Sequence, residues 1–148
     1  MSDPVQMAGV FSAMEIAASG LTAERGRMNV IASNLANSRT TRGADGQPYQ
    51  RLDPIFRAEP MTTGSADPVL QSITTVRLAG TRPDPTPGQL VYDPGHPDAN
   101  PAGYVQYPNV NVVTEMVNLM TASRAYEAGV TTIESIKSMA RSALRIGQ

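Results

Sequence analysis

Residues 107–148 read YPNVNVVTEMVNLMTASRAYEAGVTTIESIKSMARSALRIGQ, with no proline after Pro108 and only Gly129 and Gly147 interrupting the run. Val112, Met116, Leu119, Ser123, Tyr126, Val130, Ile133, Lys137, Ala140 and Leu144 follow one another in steps of four and three. That spacing keeps a stripe on one face of a helix. Val113, Val117, Met120, Ile136, Met139, Ala143 and Ile146 form a second stripe beside it. A helix apolar on two adjoining faces needs more than one neighbour. At about 1.5 Å per residue the helix is roughly 55 Å long. A chain of 148 residues is too small to wrap a compact core around it. The helix is therefore expected to pair with another long helix, with other copies, or with both.

The other long helix is expected over residues 5–38. Met7, Met14, Leu21, Met28 and Leu35 recur at seven-residue intervals, with Val10, Ala17, Glu24 and Ile31 between them. Sustained heptads point to coiled-coil packing, although an ordinary amphipathic helix in a bundle carries similar stripes. Asn29, Ser33, Asn34 and Asn37 crowd the end of this arm. Asn37 reads as a capping residue. Asn29 and Asn34 read equally well as caps or as lateral bonds to neighbouring chains.

Between the arms the composition changes, and residues 38–107 hold ten of the twelve prolines. Short strands are expected over 49–57, 69–78, 89–92 and 104–107, with Pro54 placing the first at an edge or bulge. Residues 81–88 read as extended, polyproline-like chain. Asn109 or Asn111 is expected to cap the second arm, with Glu115 favourable against the helix dipole. The fold expected is mainly α with a small β insertion, its long N- and C-terminal helices paired as a coiled coil. The divisions are an N-terminal arm at 1–38, a Pro/Gly-rich β-containing region at 39–107 and a C-terminal arm at 108–148.

Composition excludes several chemistries. A net charge of −1 gives the chain no preference for nucleic acid or anionic membrane. No apolar run is long enough to cross a bilayer, so direct membrane insertion is not expected. The first residues, MSDPVQMAGVF, carry no basic residue and do not read as a Sec-type signal peptide. With no cysteine and one histidine, His96, no zinc site built on Cys or His pairs is expected. No metal or cofactor is expected, because no phosphate loop, dinucleotide or metalloprotease motif occurs. His96 lacks the context of a Ser-His-Asp triad. Asp45, Asp53, Glu59, Asp67, Asp84, Asp93 and Asp98 lie in turn-rich chain, where aspartate usually bonds its own backbone. No catalytic residue is expected. Arg25, Arg27, Arg124, Arg141 and Arg145 lie on the helical arms, either solvated or pairing with acidic groups of adjacent chains.

The segment 19–51, SGLTAERGRMNVIASNLANSRTTRGADGQPYQR, resembles the N-terminal signature of bacterial flagellar axial proteins. Leu21-Thr22-Ala23, Met28-Asn29-Val30-Ile31-Ala32 and Ser33-Asn34-Leu35-Ala36-Asn37 carry the resemblance. The Thr-x-Gly-Phe sequence of many members is missing, and Gly43-Ala44-Asp45-Gly46-Gln47-Pro48-Tyr49 stands in its place. That departure and the short length are similar to the proximal-rod type. So are Gly103-Tyr104-Val105, Tyr107-Pro108-Asn109-Val110, Glu115-Met116-Val117-Asn118-Leu119-Met120, the run from Ala122 to Ala128, and Gly147-Gln148. Most of residues 52–102 match loosely or not at all.

The resemblance implies a structural rod subunit that polymerises through its terminal helices, transmits motor torque and encloses the export channel. It implies export by the flagellar type III apparatus without a cleaved signal, and a periplasmic location. Implied partners are other copies, other rod proteins, the rod-to-membrane-ring adaptor and the membrane-supramembrane ring protein. The assembly interface is expected to use Met14, Leu21, Met28, Asn34, Asn37, Leu119, Arg124, Tyr126, Ile133, Leu144 and Ile146. A cytosolic coiled-coil adaptor or secretion partner would share the heptads without needing the Asn-rich and Tyr-Pro-Asn motifs. A peptidoglycan-cleaving enzyme would need a cleft with a positioned acidic pair.

Overall fold

The computed structural model describes residues 4–61 and 73–146. Helix α1 spans Pro4–Ala36, β1 spans Leu52–Pro60, β2 spans Thr74–Pro83, β3 spans Leu90–Tyr92, β4 spans Tyr104–Gln106, and helix α2 spans Val112–Ile146. In chain order, two long helices stand on either side of a small β-rich middle region. Pro4 opens α1 where its missing N–H is no loss. Asn111 caps α2: its Oδ1 accepts the Thr114 N–H at 3.1 Å. Asn109, the other candidate cap, is engaged elsewhere. At the far end of α1, Asn37 Nδ2 donates to the Ser33 carbonyl at 2.9 Å, as a capping residue does.

The strands differ from expectation in detail. β1 begins at Leu52 rather than at residue 49, because the Tyr49 N–H is already spent on the Thr40 carbonyl. Residues 81–83 extend β2 instead of starting the polyproline-like stretch. Of the strand expected over 69–78, residues 69–72 lie outside the described residues. β1 and β2 form one two-stranded sheet, and β3 and β4 another. The second is antiparallel, pairing Leu90 with Gln106, Val91 with Val105 and Tyr92 with Tyr104. With two strands per sheet every strand is an edge, which is why Pro54 is tolerated inside β1.

The chain forms two compact units. The first comprises 1–26, 56–79 and 122–148; the second comprises 27–55 and 80–121. In the first unit α1 packs through small residues. Gly26 lies under Leu78 of β2, and a Cβ there would sit 2.8 Å from the Leu78 Cδ2. Gly129 of α2 meets Leu21 equally closely, at 2.7 Å from its Cδ2. The Val76 N–H donates to Ser19 Oγ at 3.3 Å. In the second unit Val30, Ile31 and Val105 are buried. Gly88 runs against the Tyr107 carbonyl with no room for a side chain, and Tyr107 N–H donates to the Gln89 carbonyl at 2.8 Å. Gly103, at φ +81°, turns the chain back under the Tyr92 ring.

α2 is covered along Glu115, Leu119, Ala122, Tyr126, Gly129, Ile133, Ile136 and Ala140, again in steps of four and three. This is one position off the stripe expected at its N-terminal end, where Val112 and Met116 are exposed. Leu119, Tyr126, Ile133 and Ala140 belong to both.

Candidate functional site

The second unit is built around a polar knot. Asn34, near the end of α1, is 1% exposed, and Glu115, in the first turn of α2, is 1% exposed. The Asn34 amide uses every hydrogen-bonding capacity it has. Its Nδ2 donates to the Leu52 carbonyl at 2.9 Å and to Glu115 Oε2 at 3.1 Å. Its Oδ1 accepts from the Leu52 N–H and from the Tyr49 hydroxyl, each at 2.9 Å. Bonding both polar groups of Leu52, the side chain stands in for a neighbouring strand at the start of β1. An amide has two donors and two acceptor lone pairs, so none is left over.

Arg51 completes the knot. Its Nε donates to Glu115 Oε1 at 2.7 Å, and its Nη1 donates to Asp53 Oδ1 at 2.6 Å and lies 3.6 Å from Asp84 Oδ2. The bond to Glu115 raises the guanidinium pKa above its already high ordinary value, against the opposing pull of burial. The Arg51 backbone is held as well: its N–H donates to Asn109 Oδ1 at 2.7 Å, and its carbonyl accepts from Asp84 N–H at 2.8 Å. Asn109 Nδ2 donates to the Asp84 carbonyl at 3.1 Å. Asp84 is held below the ordinary aspartate pKa, first by the Thr86 hydroxyl and then by the Thr86 N–H.

Sequence reading singled out Asn34 but not Arg51, and took Glu115 only as a partner of the helix dipole. A signal was present. Glu115 lies on the same four-and-three spacing as Leu119, Ala122 and Tyr126, and an acid on a covered stripe requires a buried cation.

The remaining residues expected at an assembly interface are distributed unevenly. Met14, Leu21, Met28, Asn37, Leu119, Tyr126 and Ile133 are half-buried, and Arg124 is exposed. Leu144 is 55% exposed. The side chain of Ile146 lies outside the described residues. Other large apolar side chains open to solvent on the helices include Phe11 at 64%, Val113 at 72%, Met120 at 56% and Met139 at 63%.

The acidic loop residues mostly bond locally. Asp45, Asp84 and Asp93 each accept the N–H two residues on. His96 Nδ1 accepts the Asp98 N–H at 3.1 Å, a turn contact. Among the described residues no cluster of side chains suited to a metal occurs, and no helix is long and apolar enough to cross a membrane.

The two ends of the chain match two family models. The model described as "Flagella basal body rod protein" matches residues 14–44, and "Flagellar basal body rod FlgEFG protein C-terminal" matches residues 102–146. The class these define is the flagellar basal-body rod proteins. The chain is 45% identical to the flagellar basal-body rod protein FlgC of Borreliella burgdorferi, over 95% of this chain and 99% of that relative. It is 44% identical to FlgC of Escherichia coli O6:H1, over 90% and 95%, and 39% identical to FlgC of Bacillus subtilis, over 93% and 98%. The chain belongs to the FlgC family of flagellar basal-body rod proteins. This is a family of structural rod subunits, not of enzymes. Asn34 lies in the first matched segment and Asn109 and Glu115 in the second, so the knot ties the two together.

Proposed function

We propose that this chain is a subunit of the proximal rod, polymerising through α1 and α2 into the shaft that transmits torque and surrounds the export channel. Its two arms pair antiparallel as a coiled coil, a reading supported by Asn34 bonded to Glu115 in one unit and Leu21 packed on Gly129 in the other. The observation that carries the proposal is the apolar surface left open on both helices, from Phe11 on α1 to Val113, Met120, Met139 and Leu144 on α2. Burying one such side chain is worth roughly 1.5–3 kcal/mol, so helices with this many exposed gain most when surrounded.

The same reading places the chain in the periplasm, delivered by the type III export apparatus without cleavage. Its neighbours are other copies, other rod proteins, the membrane-ring adaptor and the membrane-supramembrane ring. The test is deletion of its gene and isolation of basal bodies. Rods that stop short, restored by the intact chain, are the expected result. Full-length rods and swimming cells without the chain would overturn it.

A further inference from the structure

The two edges of the β3–β4 hairpin, in the second unit, are finished differently. Val91 pairs with Val105, the Tyr107 N–H donates to the Gln89 carbonyl and the Asp93 N–H donates to the Gly103 carbonyl. Bonding alternates along an antiparallel pair, so Gln89, Val91 and Asp93 turn their backbone groups to β4, while those of Leu90 and Tyr92 face outward. On β4 the outward groups of Tyr104 are closed by Asn100. The Asn100 N–H donates to the Tyr104 carbonyl and its Oδ1 accepts the Tyr104 N–H, each at 2.9 Å. On β3 the N–H and C=O groups of Leu90 and Tyr92 have no bonding partner among the described residues. Their side chains are 65% and 64% exposed, and β3, Leu-Val-Tyr, holds no charge or proline to guard the edge.

Gln89 and Val91, on one face of β3, line an open groove of about 680 Å³ together with Pro87, Val110, Val112 and Arg39. No carboxylate lines this groove. Arg39 is exposed and has no ion-pair partner among the described residues.

These features define an occupant. Outward donors and acceptors at strand spacing are satisfied by another extended backbone. A strand laid along β3 puts the side chain opposite Val91 on the face of Val91, toward the groove, and those opposite Leu90 and Tyr92 on the other face. The valines and proline of the groove favour an apolar side chain there, and Arg39 favours a carboxylate beside it. A second copy fits poorly. β3 set on β3 joins identical edges, an isologous contact that closes as a dimer, and β4 offers no equivalent edge because Asn100 occupies it at Tyr104.

We propose that the open edge of β3 takes up an extended segment of a different polypeptide. The segment bonds the Leu90 and Tyr92 backbone, seats an apolar side chain in the groove and pairs a carboxylate with Arg39. The proposal rests on the reading of the chain as a rod subunit, since a polar shaft does not grow through closed dimers.

Cells lacking the native gene would express the chain with photoreactive benzoylphenylalanine in place of Gln89, which lines the groove. Irradiating swimming cells should join the chain to a different polypeptide, and mass spectrometry should place the cross-link in a segment carrying Asp or Glu. Arg39→Glu should remove most of the product, and Arg39→Lys should retain it. Leu90→Pro deletes an outward N–H without deleting a bond between β3 and β4, and should also abolish the product. Arg39→Glu changes only an exposed side chain, so it tests the site even where Leu90→Pro disturbs the hairpin. A product made of two copies, a cross-link confined to the chain itself, swimming cells that give no product, or a product indifferent to Arg39→Glu overturns the strand site alone. Complete rods in cells without the chain overturn the rod reading instead.

Discussion

Removing the cation from the polar knot should cost far more than removing a cation from the surface. In Arg51→Ala, Glu115 keeps its carboxylate at 1% exposure with Asn34 Nδ2, at 3.1 Å, as its remaining side-chain donor. An uncompensated buried charge of this kind costs about 3–5 kcal/mol. Glu115→Gln is milder, because Arg51 is about a quarter exposed and retains Asp53 at 2.6 Å; one charge-assisted bond lost is worth about 1.5–3 kcal/mol. The double variant should fall well short of the sum, since the two groups serve each other. Arg77→Ala is the internal control: its bond to Glu59 is 3.5 Å between side chains 71% and 45% exposed, and its loss should cost no more than about 1 kcal/mol. Urea unfolding of the purified chain, followed by helical circular dichroism, measures all four. With total stabilities of about 5–15 kcal/mol, Arg51→Ala should lower the midpoint severely. If Arg51→Ala and Arg77→Ala shift it equally, the knot is energetically no different from surface pairing and the argument fails.

Gly88→Ala should destabilise the chain by about 1–3 kcal/mol in the same assay, because the new methyl meets the Tyr107 backbone carbonyl, which has no rotamer to move into. Asp84, whose pKa is depressed in the folded state, contributes stability that is present above the unfolded aspartate value of about 4 and is lost as pH falls through the folded value. Asp84→Asn should flatten the acid limb of the stability profile measured by urea titration between neutral and strongly acid pH. Leu144→Asp puts a carboxylate on a side chain 55% exposed in the single chain. Fractionation should find the variant outside the cytoplasm but missing from purified basal bodies, whereas normal incorporation and swimming would make that end of α2 solvent-facing in the rod.

The two helices were legible because periodicity accumulates over many turns: α1 and α2 run 33 and 35 residues, and a slip of one position at an end changes little. The side that each helix covers was less legible. The stripe expected from Val112 and Met116 put the covered side one position off at the start of α2, because hydrophobicity alone ranks an acid last and Glu115 in fact leads that side. Asn34 was ambiguous for a related reason. An asparagine near a helix end has several local uses, and its real partner, Leu52, is 18 residues away across a turn whose path no local pattern fixes. The aspartates were legible in part: Asp45, Asp84 and Asp93 each accept the N–H two residues on, whereas Asp98 accepts from Thr41 and Arg42, more than fifty residues away.

The bond from Asn34 to Glu115 spans 81 positions of sequence, and the one from Arg51 spans 64. Synthesis runs from the N-terminus, so the first arm is made long before the residues that fasten it. Until residue 115 is free, Arg51 lacks its most buried counter-ion and the Asn34 amide has a donor to spare. Closing loops of this length is slow compared with winding a helix. Timing is thus written into the chain: the leading segment stays unfastened until the second helix has been made, and the latch is carried by that later part.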